Sequence, residues 1–499
     1  MSKQIEIAIS DFNGGISDDP RKVSQNEFQI TKHFDIFTNP KRLTPYRNLA
    51  ADTNDGSTAT GMKQYVVKDF LYASASAKLY GLGQTGAGLT KIVYKADATT
   101  GNWTLPASSE GNAAVQNGCF VEYKDYLWGF QGTNQVWKWG LLSGSPSITN
   151  SVNTTASTIT SVAQGVIAKD DNLYLPYNNI IARVTSGGTF NDAVLTLPTN
   201  FKITSICNFG NYLAIGCAPT ASFNGVSKVF IWNLTSTDVT EAIDWGEGDL
   251  RILETVEGLL VGVTDRYLNN ATGAGKGSMV IQVYSGGSPQ VVKEVYTQAL
   301  TGKTIPLSKT VKNNRVFWAA KIMTNSAGTT YSEGIWSFGR KNSGYLYALT
   351  LDIIDENIDT DGIQAFGTAA NYFFIAHSAD GSIDKTSATA TYTFTSIYES
   401  LIYDAGDVDS DKTLLSCKVS FRALAAGETV TLKYRVDGAT SWTTIGSDST
   451  DGDLSRTFVN IESTGDNFAS GREFEFRIES TGGAEVTGYK AEFIINDNI

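Results

Sequence analysis

Seven times, the chain sets a polar turn directly before a burst of aromatic and aliphatic residues. The copies read KDFLY (Lys68–Tyr72), KDYLW (Lys124–Trp128), DDNLY (Asp170–Tyr174), GNYLA (Gly210–Ala214), EGLLV (Glu257–Val261), NNRVF (Asn313–Phe317) and ANYFF (Ala370–Phe374). Measured at Leu71, Leu127, Leu173, Leu213, Leu260, Val316 and Phe373, the spacings are 56, 46, 40, 47, 56 and 57 residues. A period of that length, with several short strand patterns in each unit, is the signature of a β-propeller. One four-stranded unit cannot bury both of its faces, whereas a ring of such units buries each against the next. The expected fold is therefore all-β. It has a seven-bladed β-propeller over 61–390, an N-terminal extended arm or docking segment over 1–60, and a C-terminal antiparallel β-sandwich over 391–499.

Within a unit a second strand pattern usually follows, as in NQVWKWG (Asn134–Gly140), SKVFIWN (Ser227–Asn233) and EGIWSFGRKN (Glu333–Asn342). These alternate apolar and polar residues, as half-buried strands do. Trp128, Trp137, Trp232, Trp318 and Trp336 are read as core between units rather than as a ligand cage. The unit from Leu127 to Leu213 is the tightest, and a reduced blade is expected there. Beyond residue 391 the strands lengthen and carry more charge. TVTLKYRV and EFEFRI alternate strictly, which buries one face and wets the other. Ahead of the repeat, DFNGGISDDP (Asp11–Pro20) is too rich in Gly, Asp and Pro for a helix. SQNEFQITKHFDIF (Ser24–Phe37) reads as either one short helix or a strand. The arm that these residues form either packs on its own domain or reaches a neighbouring subunit.

The 48 glycines favour turns and strands over helices. A formal charge of −12 argues against tight nucleic-acid binding, which rests on Lys and Arg. It is compatible with an acidic conduit along which DNA slides without adhering. The first residues lack the apolar core of a secretory signal, and no apolar run is long enough to span a membrane. Of Cys119, Cys207, Cys217 and Cys417, none forms a CxxC pair, so no structural metal site is expected. Cys207 and Cys217 flank a hairpin and are read as two buried thiols, a facing pair being the alternative.

Catalytic patterns are weak. TGAGKGS (Thr272–Ser278) lacks Ser or Thr directly after Lys276 and is read as a hairpin loop rather than a phosphate loop. A Ser-His-Asp set would need His33 or His377, the only histidines, and no GxSxG elbow is present. HSADGSIDK (His377–Lys385) matches part of a sialidase Asp-box, once and without its closing residues. Paired carboxylates across a central channel would make the chain a propeller glycosidase. DAGDVDSDK (Asp404–Lys412) holds four aspartates, but its spacing is not that of an EF-hand, and a solvated loop is expected. No catalytic, cofactor-binding or metal residue is assigned, and the chain is not expected to be an enzyme.

The opening carries a resemblance. Phe12, Gly14, Gly15, Asp18, Asp19 and Pro20, then Asn26, Glu27, Asp35 and Ile36, resemble the start of virion tail proteins of tailed bacteriophages. With a propeller following, the chain looks most like the tail nozzle (tail tubular protein B-like) family of short-tailed phages. TLKYRVDG and FRIESTGG are similar to sandwich domains attached to phage tail propellers. The resemblance implies a virion tail protein assembled in the host cytoplasm, forming a homo-oligomeric, hexameric ring. That ring would sit beneath a tail adaptor or portal protein, seat tail fibres, retain packaged DNA and conduct it at infection. It places partner docking on Phe12, Gly14, Gly15, Asp18, Asp19, Pro20 and Arg21. A receptor- or carbohydrate-binding tail protein is the alternative reading. The larger nozzles' separate platform domain is not seen in this sequence.

Overall fold

The computed structural model describes residues 4–495 apart from 18, 20, 22–25, 53–61, 63–64, 96, 98–100, 107–109, 112, 114, 221–224, 268–276, 298–307, 324–330, 355–362, 378–381, 388–391 and 460–469. The described residues are all-β, with no α-helix among them. Seven four-stranded antiparallel sheets follow one another along the chain, at 66–104, 115–154, 166–196, 201–247, 249–297, 309–354 and 363–386. In the first six, all four strands come from one stretch of chain and pair in sequence order. The seventh has three local strands; Leu49–Ala51, from the N-terminal segment, is its fourth and pairs with Ile383–Thr386.

Apolar clusters join these sheets in a closed cycle. Leu82 and Trp137 belong to the cluster of the first and second sheets, and Phe130 and Tyr177 to that of the second and third. Tyr174 and Trp232 join the third to the fourth, and Ala214 and Leu260 the fourth to the fifth. Val263 and Trp336 join the fifth to the sixth, and Phe317 and Phe373 the sixth to the seventh. Phe374 and Phe70 then return from the seventh sheet to the first. The first strand of each sheet faces the middle of the cycle, as contacts between Ile363–Ala369 and Val66–Ala73, and between Phe201–Phe209 and Asp249–Val256, show. All five tryptophans expected as inter-unit core are buried.

The repeated phrase is the hairpin between first and second strands. Two-residue loops link directly paired residues at Tyr123/Tyr126, Phe209/Tyr212, Val256/Leu259, Lys312/Arg315 and Ala369/Tyr372. Lys124 and Asp125 (φ 47° and 68°), Glu257 and Gly258 (48° and 84°), and Asn313 and Asn314 (51° and 58°) are left-handed at both loop positions. That is the turn whose twist matches a hairpin's strands. The first phrase is the exception. Lys68–Tyr72 lies inside the strand Val66–Ala73, ahead of its turn, and the equivalent segment is Lys78–Gln84. Counting from Leu79 to Leu127, 127 − 79, gives 48 residues in place of 56. A Lys-Asp-aromatic run looks alike on either arm of a hairpin, so sequence could not separate them. The tight third unit keeps four strands, but its first, Val166–Ile167, is only two residues long.

The C-terminal residues form two further sheets. One has the strand order Gln4–Ile9, Val486–Ile495, Lys412–Phe421, Ser455–Val459, with Ser470–Gly471 also paired to the third. The other runs Gly15–Ile16, Glu27–Lys32, Ser396–Ser400, Phe474–Thr481, Thr429–Val436, Thr443–Asp448. Thr429–Val436 alternates in burial as its sequence predicted. Residues 1–60, expected as one arm, are thus divided between the two parts of the molecule. Three of their strands complete the C-terminal sheets, and Leu49–Ala51 completes the seventh. Glu27–Lys32 resolves the helix-or-strand choice as a strand. One continuous cluster holds Phe12, Phe28, Tyr398 and Phe474 of the C-terminal sheets together with Leu349, Trp336 and Ile281 of the fifth and sixth.

Candidate functional site

The residues singled out by the N-terminal resemblance fall in two groups. Phe12 is wholly buried, donates its backbone N–H to Pro40 O at 2.9 Å and meets Tyr398 edge-on at 5.3 Å. Gly14 donates to Asn26 O at 2.9 Å, and a side chain there would lie 2.4 Å from that oxygen. Gly15 has φ +76°, and a Cβ on it would lie 2.8 Å from Ala348 Cβ in the sixth sheet. These three residues form the joint between the C-terminal sheets and the cycle. Asp19 and Arg21 are exposed; Arg21 donates to Asp19 Oδ1 at 2.9 Å through its backbone and pairs with Glu473 through its guanidinium. Asp18 and Pro20 lie outside the described residues.

Polar side chains tie innermost strands of the cycle to one another. Lys309, on the first strand of the sixth sheet, extends its ammonium to Ser205 Oγ and Ile206 O of the fourth (both 3.0 Å) and to Glu254 of the fifth (2.9 Å). It also donates to Leu253 O. Its neighbour Ser308 donates to Asp69 of the first sheet at 3.4 Å. Burial pushes the Asp69 carboxyl up to about 7, against hydrogen bonds from Phe70 N–H and Ser308. This is a polar lock between innermost strands.

Other candidates resolve into packing. His377 is buried and bonded to Asp384 at 3.1 Å on the neighbouring strand. Cys207 and Cys217 are free and buried; they pair in register with Ala214 and Ile203, not with each other. Burial pushes the Cys207 thiol up to about 12, far from a reactive thiolate. In the aspartate-rich loop a cation is already supplied by the chain. Lys412, 1% exposed, donates to Ser410 O at 2.8 Å, Arg472 O at 2.9 Å and Asp407 O. Among the described residues no group of three or more His, Cys, Asp or Glu could hold a metal. The TGAGKGS loop lies outside them up to Lys276.

One open cleft, of about 600 Å³, is formed where the N-terminal segment roofs the hairpin turns of the sixth and seventh sheets. Its roof carries Asp35, Thr44, Tyr46 and Arg47; its floor carries Lys312, Asn313 and Arg315 from one repeat phrase and Asn371 and Tyr372 from the next. Arg315 is buried, 5% exposed. It is 3.6 Å from Asp352 and 3.9 Å from Asp35, and its guanidinium stacks 4.2 Å and 4.6 Å from the ring centres of Phe37 and Phe317. Burial works against its charge, but Tyr46, Asp352 and Asp35 outweigh that and hold it protonated. Burial raises Asp352 to about 6 despite the arginine. The sequence singled out the NNRVF and ANYFF phrases as turns but gave no signal that they meet beneath a roof from residues 35–47.

No family model and no curated protein sequence matches the chain. Among solved structures it is similar to the WD40 domain of Pan2 from Neurospora crassa, at 9% identity over 65% of this chain and 89% of that one (TM-score 0.38). It is also similar to BamB from Moraxella catarrhalis, at 12% identity over 66% and 85% (TM-score 0.33). A chain of the Mitotic Checkpoint Complex aligns at 10% identity over 69% and 95% (TM-score 0.42).

Proposed function

We propose that the chain is a seven-bladed β-propeller fused to a β-sandwich, and that it serves as a non-catalytic structural subunit of a bacteriophage tail. The nozzle is the position that its N-terminal resemblance favours. The supporting observation is how the phrase that carries the resemblance is used. Phe12, Gly14 and Gly15 build the joint that makes one body of sandwich and propeller. A rigid, jointed body suits a ring component that bears load during assembly and DNA passage. Asp19 and Arg21, beside that joint, remain on the surface as docking groups. Lys309 ties the innermost strands of the fourth, fifth and sixth sheets to one another, so the propeller's own centre is taken as structural and not as the passage for a duplex. DNA would pass instead through a lumen formed between copies, along an acidic wall that does not hold it.

Cryo-EM of intact particles tests this reading. The expected result is density for this chain in an axial ring between adaptor and tail tip. Density for it only at the tips of peripheral fibres, or none in the particle, overturns the reading.

A further inference from the structure

We infer that the cleft beneath residues 35–47 is a binding site for a short acidic saccharide, whose carboxylate is taken by the cationic floor around Arg315. This stands apart from the tail reading and rests on three observations.

The first is a broken pattern. Each sheet has one residue directly after its hairpin turn and before the buried apolar position. In six sheets that residue is half-buried or exposed: Lys78, Tyr126, Asn172, Tyr212, Leu259 and Tyr372. In the sixth it is Arg315, and it is buried. A guanidinium placed where the fold elsewhere leaves a side chain to water is a departure of the kind that functional sites make. Its Nε–H has no acceptor among the described residues. A buried donor left unpaired is unfavourable until something accepts from it.

The second is charge. Among the described residues the cleft is lined by Arg47, Lys312 and Arg315 and by one carboxylate, Asp35; with Asp352 behind Arg315 at 3.6 Å, three cations still face two acids, on a chain of net charge −12. That imbalance selects an anion.

The third is the rest of the lining. Tyr372 and Tyr392 offer ring surface, Asn313 and Thr44 offer an amide and a hydroxyl, and Asn371, whose Oδ1 accepts from Lys312 Nζ at 2.9 Å, keeps its amide N–H groups to donate. Aromatic surface with alternating donors and acceptors suits a polyhydroxylated ring better than an extended acidic peptide, which has no flat apolar face. The volume, about 600 Å³, falls within the range of small-molecule sites.

The test is calorimetric titration of the full chain with trigalacturonate, its methyl ester and a triglutamate peptide. The expected result is saturable binding of trigalacturonate, with the ester and the peptide at least about tenfold weaker, a difference of about 1.4 kcal/mol. Asn371→Asp, at an exposed position, adds a negative charge to the rim and is expected to weaken trigalacturonate about tenfold while leaving the melting temperature unchanged. Arg315→Gln is expected to weaken it further, although this variant also loses an internal ion pair. No binding of trigalacturonate up to about 1 mM overturns the proposal. So does equal affinity for the ester, tighter binding of the peptide, or unaltered affinity in Asn371→Asp.

Discussion

At the scale of single residues, Asp69 shows what the interior of this fold exacts. It sits on an innermost strand with two hydrogen bonds, from Phe70 N–H and Ser308. Its carboxyl titrates at about 7 instead of 3.8, so the folded state holds a proton that the unfolded chain releases. Stability from this group is full below about pH 4 and is lost as pH rises through 7, by up to about 4 kcal/mol. Asn keeps the shape and an acceptor without the charge. Asp69→Asn is therefore expected to be more stable than the parent at pH 8 and to flatten the fall between pH 5 and pH 8 in urea titrations; an unchanged fall refutes this assignment. Gly15 is a second case. Its left-handed backbone and the 2.8 Å approach to Ala348 leave no place for a methyl group. Gly15→Ala should lose about 2–4 kcal/mol in denaturant titration, whereas an exposed left-handed glycine such as Gly258, with open space around it, should lose less. The sequence marked Gly15 as special through its neighbours, but not the reason. The strand it approaches lies more than 300 positions away, and no local pattern encodes that contact.

At the scale of elements, the hairpins were the most legible part of the chain. Six of the seven phrases mark a turn and second strand because left-handed turn positions and a buried strand impose residue types locally. The element that closes the cycle was not legible. Leu49–Ala51 is three residues with no periodicity to read, and it acquires meaning only from its partner Ile383–Thr386. A buried cluster anchors this closure. Asp52 accepts from Lys95 at 2.5 Å, Lys385 at 3.1 Å and the Trp103 indole at 3.1 Å. Burial lowers the affinity of Lys95 for its proton, Asp52 opposes that, and the nearby Lys385 adds to the lowering. Removing the carboxylate leaves two cations facing each other in the interior. Asp52→Ala is expected to destabilise by about 3–5 kcal/mol, read as a lowered melting temperature. A loss within the range of a surface pair, about 0–1 kcal/mol, would show that the cluster does not secure the closure.

At the scale of the whole molecule, the rhythm of the sequence suggested cuts near 60 and 390, and the connectivity runs across both. The seventh sheet takes its outer strand from residues 49–51, and the fifth and sixth sheets share one apolar cluster with the C-terminal sheets. Composition changes where strand style changes, so it locates the repeat; it is blind to which segments fold as a unit, because that depends on pairings distant in sequence. A fragment of residues 61–390 would expose the Ile383–Thr386 edge and uncover Ala348 and Leu349, which pack against Gly15 and are 1% and 0% exposed in the intact chain. Each large apolar side chain uncovered forfeits about 1.5–3 kcal/mol, and a few such losses approach the 5–15 kcal/mol that holds an ordinary domain folded. The fragment is expected to aggregate or melt without a cooperative transition, while the full chain melts its cycle of sheets and its C-terminal sheets together. Calorimetry on both decides it. A fragment that melts as sharply and at the same temperature as the intact chain would mean that the N-terminal strand and the shared cluster add little, and that the cycle of seven sheets is stable without them.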